Sequence, residues 1–250
     1  MRFAPPPSGA RPPRPAPGAD PDGVLLVDKP AGMTSSDVVV AVRRMFKLRK
    51  VGHGGTLDPQ ATGLLVLLVG RGTKLSGAAM SGDKTYEGTL RLGAATDTQD
   101  AEGEVVSGSD PSGVTREALE ALVASDFAGD IFQTPPMVSA IKVDGVPLYR
   151  MARRGEEVAR EPRLVHVYSF RVDDFGIPDT RFTVRCSKGT YVRTLCHDIG
   201  AKLGCGGHLA SLRRVRSGRF DVADAVPLDA LRSLPRAELP SRLLPLSVLL

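Results

Sequence analysis

The sequence predicts a mixed α/β fold built as one large domain. Segments with the alternation or the short apolar runs of strands are interleaved with segments that carry helix caps and helix spacing. The chain has 250 residues, of which 42% are hydrophobic, so it can bury a sizeable core. No run approaches the roughly 18 apolar residues of a membrane span. We therefore expect a soluble protein.

The N-terminal region predicts a tail followed by a strand and a helix. Residues 1–22 contain eight prolines and almost no apolar bulk, so they cannot offset the entropy of ordering and are predicted to be disordered. Residues 23–27 form a short apolar run that predicts a strand. The Thr-Ser-Ser sequence at 34–36 can cap a helix that continues to Met45.

The most informative stretch is the glycine-rich loop at 51–63, which leads into the apolar run 64–69, a predicted buried strand. Pro59 restricts Asp58 to extended conformations, so its carboxylate is held in place. A held carboxylate on a polar loop is a candidate reactive group, although an ordinary turn before Pro59 is the alternative. The loop lacks the residue order of the known nucleotide-binding loops.

The rest of the chain predicts further strands and helices in alternation. The predicted strands are 84–92, 138–143, 165–172 and 181–186, and the predicted helices are 116–123, 148–154 and 191–203. The basic hairpin and helix within 138–155 suit a clamp on a phosphate backbone, and a solvated surface is the alternative. Arg193 lies in the first turn of its helix, where a cation is unfavourable, so we expect a compensating anion, for which Asp58 is a candidate.

The charge and the cysteine content of the chain indicate the class of partner and the cellular compartment. The net charge of +5 and the clustering of basic residues favour a polyanionic partner. Three cysteines without close pairing, Cys186, Cys196 and Cys205, fit the reducing cytoplasm. The cysteine and histidine spacing at 196–208 fits no common zinc site, and the acidic residues at 97–102 match no calcium loop, so we expect no metal.

Several segments together resemble one family. Residues 52–63 read Gly-His-x-Gly-Thr-Leu-Asp-Pro-x-Ala-x-Gly, and further motifs lie at 27–35, 84–86, 187–195 and 212–214. This set is similar to the bacterial TruB-type tRNA pseudouridine synthases, which isomerise the T-loop uridine at position 55 of tRNA. The resemblance covers residues 23 to about 222.

The resemblance implies a fold and a domain organisation. It implies an α+β pseudouridine synthase fold, with a central antiparallel sheet flanked by helices and an inserted RNA-clamping, thumb-like subdomain at about 134–160. Residues 23–222 would form the catalytic domain. Residues 223–250 are too few for the complete PUA-type RNA-binding domain that the family often carries. Departures from the motifs at Ser36, Gly54 and Val138 would affect RNA contacts and leave the reactive groups in place.

The resemblance also implies roles at a catalytic centre. Asp58 would act on the sugar as a nucleophile or as a base, and Arg193 would pair with it and keep it ionised. Tyr86 would offer the uracil an aromatic face and a hydroxyl near C5. His53 would fill the gap left when the base is flipped out of the loop. No cofactor is needed because the isomerisation is not a redox reaction.

The remaining expected contacts surround that centre. Leu64 and Leu212 would wall the pocket, and Asp100 and Tyr191 are family-motif residues that we assign to substrate binding. The candidate phosphate contacts are Lys29, Lys84, Lys142 and Arg153. We expect a monomer whose partner is the T-arm stem-loop of tRNA. The alternatives are a non-catalytic tRNA-binding or tRNA-folding module on the same scaffold, and the archaeal and eukaryotic guide-RNA-dependent relative.

Overall fold

A mixed β-sheet of ten strands runs through the protein. The computed structural model describes residues 20–139, 141–143, 145–152, 154–156 and 158–250. Its strands are β1 Gly23–Lys29, β2 Val51–His53, β3 Thr62–Val69, β4 Lys84–Leu92, β5 Ala95–Thr96, β6 Val105–Ser107, β7 Gly129–Gln133, β8 Lys142–Val143, β9 Val146–Pro147, β10 Arg163–Asp174, β11 Asp179–Cys186, β12 Gly207–Ser217, β13 Phe220–Asp221 and β14 Val226–Pro227. Its α-helices are α1 Ser35–Met45, α2 Ser76–Ser81, α3 Arg116–Asp126, α4 Leu148–Ala152, α5 Val192–Lys202 and α6 Leu239–Arg242.

The strand order in the large sheet is β14-β1-β3-β12-β4-β11-β10-β7, with β2 paired to β3 and β13 paired to β12. Most neighbours are antiparallel, but β1 and β14 are parallel, as are β3 and β12. The predicted α+β class is confirmed, whereas the sheet is mixed rather than wholly antiparallel. The reason is that β12 returns late in the chain and inserts between β3 and β4, pairing with both through Arg213 and Arg214.

The two faces of the sheet are buried to different extents. On the inner face, alternate residues of β1 and β3 join the main core, together with buried residues of α1, α3 and α5. On the outer face, the other residues of β1 and β3 pack with Ala79 of α2, Phe220 of β13 and leucines near the C-terminus. Strands β4, β11 and β12 present mostly polar side chains on their outer face. Because β3 is buried on both faces, it reads in the sequence as a continuous apolar run.

Helix α1 begins where the sequence predicts. Thr34 Oγ1 accepts a hydrogen bond from the Asp37 amide at 3.0 Å, and Asp37 Oδ2 accepts one from the Thr34 amide at 2.9 Å. This reciprocal capping box satisfies amides that have no partner within the helix. The helix places Ser35, which is buried, beneath the glycine-rich loop.

The inserted segment lies between two neighbouring strands of the sheet. The end of β7 and the start of β10 pair directly, at Gln133 and Arg163, so the segment leaves and re-enters the sheet at one point. It contains the hairpin of β8 and β9, followed by α4. The strand predicted from residue 138 begins only at Lys142, because the Val138 carbonyl is bonded to Arg193 instead of to a neighbouring strand.

Both ends of the described chain pack onto the sheet. Residues 223–250 place β14 beside β1, and Leu244 exchanges two backbone hydrogen bonds with Val24. The predicted disordered tail is wrong for residues 20–22, because the Asp20 and Asp22 carboxylates accept hydrogen bonds from backbone amides at Arg49 and Arg71. The remainder of that prediction, residues 1–19, lies outside the described residues. Among the helices that the structure describes, none has the length and apolar character needed to cross a membrane.

Candidate active site

The loop that carries Asp58 is anchored on both sides of that residue. Ser35 Oγ accepts a hydrogen bond from the Leu57 amide at 2.8 Å and donates one to the Leu57 carbonyl at 3.1 Å. On the other side, Lys29 Nζ donates to the Pro59 carbonyl at 3.0 Å. The backbone on either side of Asp58 therefore has little freedom to move.

Arg214 of β12 holds the wider loop and is a residue that the sequence analysis did not select. Its side chain is fully buried, and it donates to the carbonyls of Gly55 and Thr56 at 3.1 Å and of Leu64 at 2.8 Å. These bonds bracket Asp58 from before and after. Gly63 allows the close approach, because a Cβ there would lie 2.4 Å from the Arg214 carbonyl oxygen. The signal in the sequence is its place in the family motif at 212–214, to which no role was assigned.

Asp58, Arg193 and Asp100 meet in one cluster. Arg193 Nη2 lies 3.4 Å from Asp58 Oδ2, and Arg193 Nη1 lies 3.3 Å from Asp100 Oδ2. Arg193 Nη2 also donates to the Val138 carbonyl at 2.6 Å. The side chains of Arg193 and Asp100 are each 4% exposed, while that of Asp58 is 37% exposed. Of the three charged groups, only Asp58 is open to a substrate.

Asp100 is held by its own loop and faces Arg193. Thr98 Oγ1 donates to Asp100 Oδ1 at 2.6 Å, and the Glu102 amide donates to the same oxygen at 3.0 Å. Asp100 was expected to bind substrate, but the buried carboxylate has its oxygens engaged within the protein. Its other oxygen, Oδ2, contacts Arg193, so Asp100 lies on the far side of that guanidinium group from Asp58.

Burial and neighbouring charges set the ionisation of Asp58. Burial raises the pKa of Asp58, and the nearby Asp100 carboxylate raises it further, while Arg193 and Lys29 oppose the shift. Arg193 thus acts in the expected direction, but desolvation outweighs it. The result is a carboxylate that is more basic than a free aspartate and remains paired with a cation.

Tyr86 lies beside this cluster on the inner face of β4. It stands in register with Val184 of β11 and Arg214 of β12, and its ring is largely buried. Burial raises the pKa of the Tyr86 phenol, and a hydrogen bond with Arg214 opposes the shift. The phenol is therefore protonated at neutral pH and can take part in proton transfer. Arg214 contacts both Tyr86 and the Asp58 loop, so it sets their relative position.

Three further predicted site residues lie at the start of α5, on β2 and on β12. Tyr191 directly precedes α5, and its ring centroid is 5.9 Å from the Arg193 guanidinium carbon. His53 ends β2, and burial and Arg214 lower its pKa, so its imidazole is neutral at pH 7. Leu212 lines a groove of about 550 Å³ that also includes Gln60. Asp58, Tyr86 and Arg193 do not line that groove, so it is not the catalytic pocket.

Two lysines do not meet the expectation that they contact phosphates. The ammonium group of Lys29 is buried and also donates to the carbonyls of Pro30 and Met33, at 2.9 and 2.6 Å. Lys84 is buried too, and it donates to the carbonyls of Met80 and Gly82 at 2.6 and 2.5 Å. Burial lowers the pKa of each lysine to about 8. Both lysines support the protein's own backbone.

The remaining predicted residues are Leu64, Lys142 and Arg153. Leu64 was expected to wall the pocket, but it is fully buried in the outer-face apolar cluster and contributes only its carbonyl to Arg214. Lys142 lies on β8, on the inserted segment. Arg153 lies outside the described residues. Within the described parts of the chain, no group of three or more His, Cys, Asp or Glu residues could hold a metal ion.

Comparisons with known proteins agree with this geometry. Residues 43–192 match the model of the TruB family pseudouridylate synthase N-terminal domain, and residues 193–250 match that of the tRNA pseudouridylate synthase B C-terminal domain. The tRNA pseudouridine synthase B of Opitutus terrae is 54% identical over 90% of this chain and 92% of its own length. That of Syntrophotalea carbinolica is 51% identical over 89% of this chain and 72% of its own length.

Solved structures show the same similarity at lower identity. The crystal structure of a Cbf5-Nop10-Gar1 complex contains a chain that is 28% identical, with a TM-score of 0.69. The similarity covers 91% of this chain and 61% of that chain, so this protein spans less than two thirds of the larger one.

Proposed function

Because the chain belongs to the TruB family of pseudouridine synthases, we propose that it isomerises a uridine of tRNA to pseudouridine, at position 55 in the T-loop. The observation that carries this proposal is the accessible carboxylate of Asp58, held between anchored backbone and paired with the buried Arg193. A non-catalytic tRNA-binding module would have no need of such a group. The substrate class comes from the names of the relatives, which are tRNA pseudouridine synthases.

The isomerisation breaks one bond to the sugar and forms another. The bond from ribose C1′ to uracil N1 breaks, the base turns, and C1′ bonds to C5, after which C5 loses its proton and N1 gains one. Asp58 supplies the anion beside the sugar, as a nucleophile at C1′ or as a base. Its raised pKa favours either role, because a more basic carboxylate is a better nucleophile and a better base. Arg193 favours the ionised form of the carboxylate, against the effect of burial, and aims it.

Tyr86 completes the reacting centre in this proposal. Its ring packs against the uracil, and its hydroxyl lies near C5, where the last proton leaves. Because the phenol is protonated, it takes up that proton only as it releases its own to solvent. The uridine must first leave the folded T-loop, at a cost of a few kcal/mol that stacking and phosphate contacts return. His53, with a neutral imidazole, takes the place of the extruded base.

Phosphate recognition is assigned to the inserted segment. Since Lys29 and Lys84 are buried, we place these contacts on Lys142 and Arg153 together with the exposed Arg150 and Arg154. Such contacts release counterions, so affinity should fall with increasing salt. The protein would act as a monomer on the T-arm of tRNA. Its three cysteines are buried and unpaired, which suits the reducing cytoplasm.

The test is tritium release from a T-arm stem-loop that carries uridine tritiated at C5. We expect release by the wild-type protein and none by Asp58→Asn, with equal binding of the stem-loop by both. Release from whole tRNA but not from the stem-loop would support the proposed reaction and would show that the enzyme also recognises tRNA outside the T-arm. Binding without release from either RNA would contradict the proposed function.

A further inference from the structure

A buried amide ties the inserted segment to the helix that carries Arg193. Gln133 is the last residue of β7, directly before the insertion, and it is 2% exposed. Its Nε2 donates to the Tyr191 carbonyl at 3.0 Å, and its Oε1 accepts from the Tyr191 amide at 2.7 Å. Both polar atoms of the Gln133 side chain therefore bond to the Tyr191 backbone, in the same way that the backbone of a neighbouring strand would.

The same stretch of chain then reaches the catalytic cluster. Five residues after Gln133, the Val138 carbonyl accepts a hydrogen bond from Arg193 Nη2 at 2.6 Å. That nitrogen is the one that lies 3.4 Å from Asp58 Oδ2. The orientation of the guanidinium group toward Asp58 thus depends on where the first residues of the insertion hold the Val138 carbonyl.

We propose that Gln133 is a positioning residue for the reaction. Its two hydrogen bonds hold the start of the insertion in register with the start of α5, and this register sets the geometry of the Val138–Arg193–Asp58 contact. Gln133 touches neither Asp58 nor a substrate, so it acts through Arg193. The inference rests on the proposed function, because it concerns the orientation of the carboxylate in that reaction.

Gln133→Glu is the sharpest test, since it changes one atom of the amide. An ionised glutamate still accepts from the Tyr191 amide, but it has no donor for the Tyr191 carbonyl and repels that oxygen. A protonated glutamate restores the donor. Burial raises the pKa of a glutamate introduced there above the usual value of about 4.3, so the donor returns as the pH is lowered.

We expect kcat for tritium release by Gln133→Glu to be about 10- to 100-fold below wild type at pH 8. The deficit should shrink when the pH is lowered to 5.5, relative to wild type at the same pH. Gln133→Met, which fills similar space without polar atoms, should lose kcat by a factor that does not depend on pH. KM for the stem-loop should change less than kcat in either variant, because the residues assigned to phosphate contact are unchanged and lie nine or more residues beyond Gln133.

Thr180→Val is the matched control, because it removes another buried hydrogen bond to backbone, from Thr180 Oγ1 to the Gly176 carbonyl at 2.8 Å. It should lower the melting temperature and leave kcat unchanged. Wild-type kcat in Gln133→Met, or a deficit of Gln133→Glu that is the same at pH 5.5 and pH 8, would overturn the inference. Absence of release by the wild-type protein would overturn the proposed function instead, so the two failures are distinct.

Discussion

The inner and outer faces of the sheet use charged residues in opposite ways. On the inner face, Arg193 and Arg214 are almost fully buried and hold carbonyls and carboxylates that are distant in sequence. On the outer face, Arg91, Arg181 and Arg185 are exposed and pair with aspartates at the surface. Burying a charge is costly, whereas an exposed ion pair contributes little to stability. The protein therefore buries the arginines that order the loop of Asp58, and it leaves the arginines of the outer face exposed.

The largest effect is expected when the cation between the two carboxylates is removed. Arg193→Gln leaves Asp58 and Asp100 facing each other without compensation, so the pKa of Asp58 should rise further. Activity requires the ionised carboxylate and is lost as the pH falls through that pKa, so the acid limb of kcat/KM should move to higher pH. At neutral pH we expect a loss on the order of 100-fold or more, measured by tritium release.

An unchanged acid limb in Arg193→Gln would mean that Asp58 is not the group whose ionisation controls activity. Arg185→Gln, which removes a guanidinium from the outer face of β11, serves as the control and should keep the wild-type profile.

The second-largest effect is expected at Arg214, whose hydrogen bonds hold the loop of Asp58 on both sides. Arg214→Met leaves three carbonyls, of which that of Leu64 is buried, without their donor and empties a buried site, so we expect the free energy of unfolding to fall by about 3 kcal/mol or more. Arg181→Met makes the same change on the outer face, where Arg181 pairs with Asp174, and should cost less than about 1 kcal/mol. Chemical denaturation of both variants measures the difference. Equal losses would show that burial of Arg214 has no special effect on stability.

A smaller effect is expected from the pH dependence of Lys29. Burial lowers its pKa from 10.5 to about 8, so between these values the folded state binds fewer protons than the unfolded state. The contribution of this group to stability therefore rises with pH in that interval. The free energy of unfolding of wild type, compared with Lys29→Met, should increase from pH 8 to pH 10. A difference that stays constant over this range would contradict a lowered pKa.

The smallest effect is expected at an exposed pair on the outer face. Arg91 and Asp179 form a bidentate ion pair across β4 and β11 at 2.7 Å, with both side chains more than 40% exposed. A double-mutant cycle with Arg91→Ala and Asp179→Ala should give a coupling of less than about 1 kcal/mol, reduced further by salt. A larger coupling that does not depend on salt would contradict the conclusion that charged pairs on the outer face contribute little to stability.

Much of the local structure and the family could be predicted from the sequence. The apolar run at 64–69 is strand β3, and the cap at Thr34 begins α1. The resemblance of the loop at 52–63 to the TruB motif is confirmed by the family models. The structure brings Asp58, Tyr86 and Arg193 together as that resemblance implies, and their roles remain proposals. The predictions of β3, of the cap and of the loop motif succeeded because they depend on residues close to each other in the chain, whereas the meeting of Asp58, Tyr86 and Arg193 as a set was expected only from the family resemblance.

The tertiary structure decided which charged side chains serve the protein's own backbone. Lys29 reaches a carbonyl 30 residues away at Pro59, and Arg214 reaches one 150 residues away at Leu64. Register shifts within β12, between Leu209 and Ser211 and again after Arg214, change which of its residues face inward. A local pattern shows that a residue is basic, but its burial depends on the distant elements that pack over it. For this reason two lysines were assigned to RNA from the sequence, and the roles of Arg214 and Gln133 were recognised only in the fold.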